Sequence, residues 1–171
     1  MRIVSDTTRA SVRGPAAWFT GVVWIDEIVN GESPSRLKAI RVTFEPGART
    51  AWHFHPVGQT LHVLSGVGRV QQEGHEPQEI RAGDTVYIEP GEMHWHGAAP
   101  GHTMVHLAMY ERDDESGTDA VWREHVSDEE YEAVPVLAYS CTPAPDNLGF
   151  DRVNPFLETL GHRERKRVLR P

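Results

Sequence analysis

A chain of 171 residues has room for one ordinary domain with a sizeable core. With 39% hydrophobic and 25% charged residues it fits neither a disordered nor a membrane-embedded class. The formal net charge of −8 is concentrated: Glu111 to Glu132 carries ten acids against two arginines, and the remainder balances at 15 basic and 15 acidic residues, leaving no basic face for nucleic acid.

Met1 to Pro15 carries arginines but no apolar run of signal-peptide length, and no window approaches the roughly 18 apolar residues of a membrane span. The expectation is a cytoplasmic protein with no membrane partner. Residues 1–38 read as an N-terminal arm and outer strands, with Trp18 to Ile25 as one early strand. Residues 39–110 are a succession of short strand signals. Ala39–Phe44 ends at Glu45-Pro46-Gly47. Thr60–Leu64 meets Val67–Gln71 across Ser65-Gly66, Thr85–Ile88 follows Ala82-Gly83-Asp84, and Thr103–Tyr110 follows Pro100-Gly101. Turns about 8–12 residues apart are the pattern of an antiparallel sandwich or barrel, so the fold class is all-β. Residues 111–134 form an acidic segment in which Asp119–Val134 predicts one short amphipathic helix, with a capping box at Ser127–Glu130 opening its second half. Residues 135–171 read as an irregular tail with a solvated basic end. Cys141, the single cysteine, lies there and excludes an internal disulfide or thiolate metal cluster; with no histidine close by it reads as inert.

Eight of the ten histidines fall between His53 and His106. In His53-Phe54-His55 the imidazoles sit at i and i+2 and share one face of a strand. Gln59 follows beyond the Pro56-Val57-Gly58 turn, and His94-Trp95-His96 is a second such pair behind Pro90-Gly91. One His-x-His carries little weight. Two, each behind a Pro-Gly turn and with an amide at a suitable offset, point to one divalent metal among His53, His55, Gln59 and His94. His106 shares a strand face with Met104, Ala108 and Tyr110; an imidazole there suits acid–base work near neutrality, and equally a hydrogen-bonded core position. His96 follows the face of His94 and lines the cavity or supports it. His62 should point away from the metal, His75 and His102 lie in turns, and His125 falls in the acidic segment without a role. By alternation the pocket wall is Ile40, Val42, Phe44, Leu61 and Val63, with Trp95 and Met104. Such a wall suits a small, partly apolar or aromatic substrate. There is no Gly-x-Gly-x-x-Gly, phosphate loop or arginine cluster, and Arg49 reads as a surface or interface residue.

Two segments resemble the motifs of the cupin family: Gly47-x5-His53-x-His55-x3-Gln59-x6-Gly66, and Gly83-x5-Glu89-x-Gly91-x2-His94 with its proline displaced to Pro90. The resemblance implies a jelly-roll β-barrel with a metal inside, held by His53, His55, Gln59 and His94. Gln59 stands where the motif usually has glutamate, which leaves a bound cation its full +2 charge, and Ala98 replaces the usual asparagine. Gly14 to Gly21, Phe44 to His53, Gly58 to Leu61 and Pro90 to Pro100 resemble the small bacterial cupins with hydroxynitrile lyase activity. That likeness implies manganese or a similar divalent ion (Fe2+, Zn2+, Co2+ or Ni2+), with His106 as base in the reversible cleavage of a cyanohydrin. Two other functions remain open: a cupin dioxygenase on a small phenolic or diketone substrate, distinguished by iron and oxygen uptake, and a non-catalytic small-molecule-binding module. Barrels of this size and an aromatic N-terminal strand lead to an expected homodimer or homotetramer.

Overall fold

Frequent turn residues divide the chain into short strands because each positive-φ glycine lets the backbone leave β geometry at little steric cost. The computed structural model describes residues 1, 3–5 and 8–133, all within one unit. In chain order the elements are β1 (Val12–Arg13), β2 (Phe19–Thr20), β3 (Val23–Asn30), β4 (Leu37–Phe44), β5 (Arg49–Phe54), β6 (Gln59–Gln72), β7 (Gln78–Arg81), β8 (Thr85–Ile88), β9 (His94–Ala98), β10 (Met104–Glu111), β11 (Val121–His125) and α1 (Asp128–Glu132). The strands pair antiparallel into one curled sheet in the order β1-β3-β4-β10-β6-β9-β5-β11, with β2 on β5 and both β7 and β8 on β6. The expected all-β barrel with a short C-terminal helix is what forms. Among the described residues no helix is long and apolar enough to cross a membrane. Cys141 and the 135–171 tail lie outside the described residues.

Three local expectations differ. Trp18 to Ile25 is not one strand: at Gly21 (φ +83) the chain turns, sending Phe19 to pair with Thr50 on β5 and Val23 to pair with Phe44 on β4. A Cβ at Gly21 would lie 2.9 Å from Ala48 Cα, so the close crossing also demands glycine. Second, Thr60–Leu64 and Val67–Gln71, expected as separate strands meeting across Ser65-Gly66, are the two halves of β6. The first half pairs with β10 and β8, the second with β7 and β9. Gly66 (φ +82) bends the strand where a Cβ would collide with the Thr103 carbonyl, so the chain changes layers without reversing. Third, the predicted helix over 119–134 shortens to α1. Val121 and Trp122 pair with Phe54 and His53, and this ladder takes residues that helical spacing alone would assign elsewhere. The capping box survives: Ser127 Oγ accepts from Glu130 N at 3.1 Å, and Glu130 Oε2 accepts from Ser127 N at 2.9 Å.

The barrel interior has two characters. Val42, Phe44, Val63 and Met104 pack with Phe19 and Val23, and Leu61 packs with Ile88 and Ala108, so part of the interior is solid. Burying side chains of this size stabilises by roughly 1.5–3 kcal/mol each. The rest is left as a cavity. A separate cluster of Trp52, Trp95, Val126 and Tyr131 joins α1 to the barrel. Arg49, expected at the surface, is buried there: its guanidinium lies 4.5 Å over the Tyr131 ring and donates to the Val126 carbonyl at 2.9 Å.

Candidate metal centre

Strands β5 and β9 run antiparallel with His53 opposite His94, so strand pairing and alternation bring both histidine pairs to one place. The His53 ring lies 4.2 Å from that of His94 and 5.4 Å from each of His55 and His96. Gln59, at the start of β6, faces the same space. The ring nitrogens of His53, His94 and His96 come within 4.8 Å of one another, near enough to hold one metal ion. This convergent trio differs from the expected set, since His96 enters it and His55 stands outside it.

Hydrogen bonding separates the histidines differently. His53 Nδ1 donates to the Ala51 carbonyl at 3.0 Å, His94 Nδ1 to the Glu92 carbonyl at 2.8 Å, and His55 Nδ1 to the Asp119 carbonyl at 2.6 Å. A carbonyl only accepts, so each Nδ1 carries the proton and each Nε2 keeps a free lone pair. His94 Nε2 and Gln59 Oε1 then face one another as two acceptors 3.2 Å apart, a contact that a shared cation would satisfy. His96 and His106 are different: no ring nitrogen of either residue makes a well-formed hydrogen bond to a protein group, although the Leu107 backbone lies close enough to His106 to influence its protonation.

Burial sets the protonation. It holds His53 well below the ordinary histidine range, helped by the charges of His94 and His55. It takes His55 down to about 4, opposed by the Asp119 backbone and carboxylate, and lowers His94 against the opposing Glu92. His96 is pushed well down by burial and then by His106, and burial takes His106 down to about 4, opposed by the Leu107 backbone. All five imidazoles are therefore neutral at pH 7, the form that can donate a lone pair to a cation or accept a proton.

A cavity of about 360 Å³ adjoins these groups. Ile40 and Val42 line it as expected from alternation, together with His53, His55, Gln59, His96 and His106. Phe44 packs against the rings of His96 and His106, at 5.8 and 5.4 Å, behind the wall. Leu61, Val63 and Met104 do not line the cavity: they face inward where the barrel is filled. Trp95 has the opposite parity to His94 and His96, and packs outside on Tyr131, its Nε1 donating to Gln71 Oε1 at 2.6 Å. His62 points away, its Nδ1 2.9 Å from Thr85 Oγ1, and His125 lies 3.2 Å from Thr20 Oγ1 at the surface.

Sequence reasoning missed the aromatic wall. Trp18 and Trp122 stack at 5.2 Å, Trp122 also stacks on His53 at 4.4 Å, and Tyr110 lies 4.8 Å from the His55 ring. Thr118, Asp119 and Ala120 complete that side. The capping box carried an unused signal, since a helix that opens after Ser127 cannot contain Trp122.

Comparison with known proteins agrees with this geometry. Residues 40–110 match the Cupin_2 family profile, described as a cupin domain. The chain is 53% identical over 131 residues to an (R)-mandelonitrile lyase of Granulicella tundricola, covering 77% of this chain and 98% of that protein. A cupin-like protein of Thermotoga maritima superimposes with a TM-score of 0.65 at 39% identity, over 70% of this chain and 89% of its own. The polyketide cyclase RemF of Streptomyces resistomycificus shares the fold alone: TM-score 0.58, 22% identity, 77% of this chain and 91% of RemF.

Proposed function

This chain belongs to the cupin family, and from that premise we propose that it is a metal-dependent lyase that reversibly cleaves a cyanohydrin to an aldehyde and hydrogen cyanide. The observation that carries the reading is the triple tether of Nδ1 at His53, His55 and His94. It presents three neutral Nε2 donors beside the Gln59 amide, and that donor set fits a divalent cation, manganese in this proposal. When bound, the cation would supply Lewis-acid polarisation of the substrate oxygen or a hold on the leaving cyanide. His96 is assigned to the pocket rather than to the ligands, because its nitrogens are untethered and its ring lies 4.9 Å from that of His106.

His106 acts as the base. It is neutral and buried in the cavity wall, with no well-formed protein hydrogen bond holding its ring nitrogens, so it can accept the hydroxyl proton of a cyanohydrin. As that O–H bond breaks, the C=O bond forms, the C–CN bond breaks, and cyanide leaves with the electron pair. The proton then passes to cyanide, giving hydrogen cyanide and restoring neutral His106. His96 stands beside it as a second hydrogen-bonding imidazole for the substrate. Trp18, Phe19 and Trp122 face an aryl group with ring surfaces, and Ile40 and Val42 exclude water from it. The relative's name, a lyase of an aromatic cyanohydrin, supports that choice of substrate.

The test is mandelonitrile cleavage, followed by benzaldehyde release, on metal-free and Mn2+-loaded protein. Turnover should depend on the metal and return with it. Equal turnover without metal, or none in protein holding one Mn2+ per chain, overturns the reading.

A further inference from the structure

His55 is oriented by a different device from its neighbours. His53 and His94 each bond a carbonyl two residues away, Ala51 and Glu92, so their own strand segments set their tautomers. The acceptor for His55 is Asp119, 64 residues further along, in the stretch between β10 and β11 that contains neither strand nor helix. A carbonyl on an irregular connection is a loose anchor unless the connection is itself held.

Lys38 supplies that hold. Its Nζ lies 2.5 Å from Asp119 Oδ2, and the two side chains are only 23% and 27% exposed. Lys38 belongs to β4, whose backbone pairs it with Tyr110 of β10, and the Tyr110 ring packs at 4.8 Å on His55. The connection has other bonds that involve its neighbours rather than Asp119 itself. Asp113 N donates to the Thr118 carbonyl and Thr118 Oγ1 to the Ala120 carbonyl, both within the connection, while Arg36 reaches Asp114 at its exposed first turn. The Lys38 ammonium pins the residue whose carbonyl meets His55. A half-buried pair of this kind is screened less than a surface one, so its loss is felt at the backbone.

We propose that Lys38 is a positioning residue: through Asp119 it fixes the carbonyl on His55 Nδ1, and so keeps the His55 Nε2 lone pair turned to the metal position. The proposal rests on reading His55 as a ligand. Without Lys38, the Asp119 carboxylate loses its partner and turns to water, the carbonyl moves with it, and His55 samples both tautomers.

The test uses the full chain with Lys38→Met, which keeps the apolar stem, Lys38→Arg, which keeps the charge, and Asp119→Asn, which keeps the carbonyl but weakens the pair. Ring 15N shifts of His55 in metal-free protein report the tautomer, and calorimetric titration with Mn2+ reports affinity. Wild type and Lys38→Arg should show a single Nδ1–H tautomer. Lys38→Met and Asp119→Asn should show mixed tautomers and about tenfold weaker Mn2+ binding. A single Nδ1–H tautomer in both weakened variants, or Mn2+ affinity within twofold of a wild type that binds it, overturns the proposal. Should wild type bind no Mn2+, the metal-dependent function fails, and the tautomer shift alone decides the role of Lys38. If Lys38→Met does not fold, Asp119→Asn carries the same comparison.

Discussion

Two sets of histidines share one cavity and are held in opposite ways. His53, His55 and His94 each give up Nδ1 to a backbone carbonyl, whereas no ring nitrogen of His96 or His106 makes a well-formed hydrogen bond to a protein group. The difference matches the roles proposed for the two sets. A ligand must keep one nitrogen deprotonated and aimed, so a fixed tautomer serves it. A base must gain and lose a proton within one cycle, and a carbonyl fastened to it would lock one state. Burial lowers the proton affinity of both sets, but only the first converts neutrality into direction.

The separation can be broken most sharply at a proposed ligand. His94→Ala should lower Mn2+ affinity by at least about 100-fold and abolish turnover, as measured by metal content after dialysis. His106→Ala should do the converse, leaving metal content unchanged while turnover falls by about 10²–10⁴-fold. Loss of metal from His106→Ala would merge the two sets and defeat the comparison.

The next effect is on pH dependence. Burial holds His106 at about 4 against an unfolded value near 6.5, so between these values the unfolded chain binds a proton that the folded chain refuses. Stability conferred by keeping it neutral is therefore complete above pH 6.5 and lost as pH falls toward 4. Its share is on the order of 3 kcal/mol. Thermal melts of metal-free protein should show Tm falling through this window, and because His53, His55, His94 and His96 are lowered as well, His106→Phe should make the fall shallower without removing it. An identical slope in that variant would remove His106 from the account.

Smaller effects mark the edges of the site. Trp122→Ala removes the ring stacked on His53 and part of the aromatic wall, so KM for an aromatic cyanohydrin should rise about fivefold with a smaller change for an aliphatic one. Ser127→Ala removes the α1 cap outside both histidine sets. It should cost about 1 kcal/mol in a denaturant titration and leave turnover unchanged.

The fold class was legible in the spacing of turn residues, because a chain interrupted by Pro-Gly, Ser-Gly and Gly-Asp steps at short intervals cannot build long helices. The same rule misled at Ser65-Gly66, where a positive-φ glycine can either reverse a strand or bend it. The neighbouring Thr103 carbonyl and the partners available on both layers made it a bend. The convergence of His53 with His94 was legible too, since strand parity is local and survives whatever the barrel does.

Parity also chose the inward residues, yet it could not say which stretch of the interior stays hollow. Leu61, Val63 and Met104 face inward and are consumed by packing, while Ile40 and Val42 face inward and border the cavity. That division depends on side chains arriving from four or more strands, and on the Trp122 segment that seals one side. The sequence by itself therefore determined which side chains share a face, through the period of two. Tertiary structure decided which imidazoles are tethered, which are free, and where the empty space lies, because carbonyls such as that of Asp119 reach their partners only after the barrel has closed.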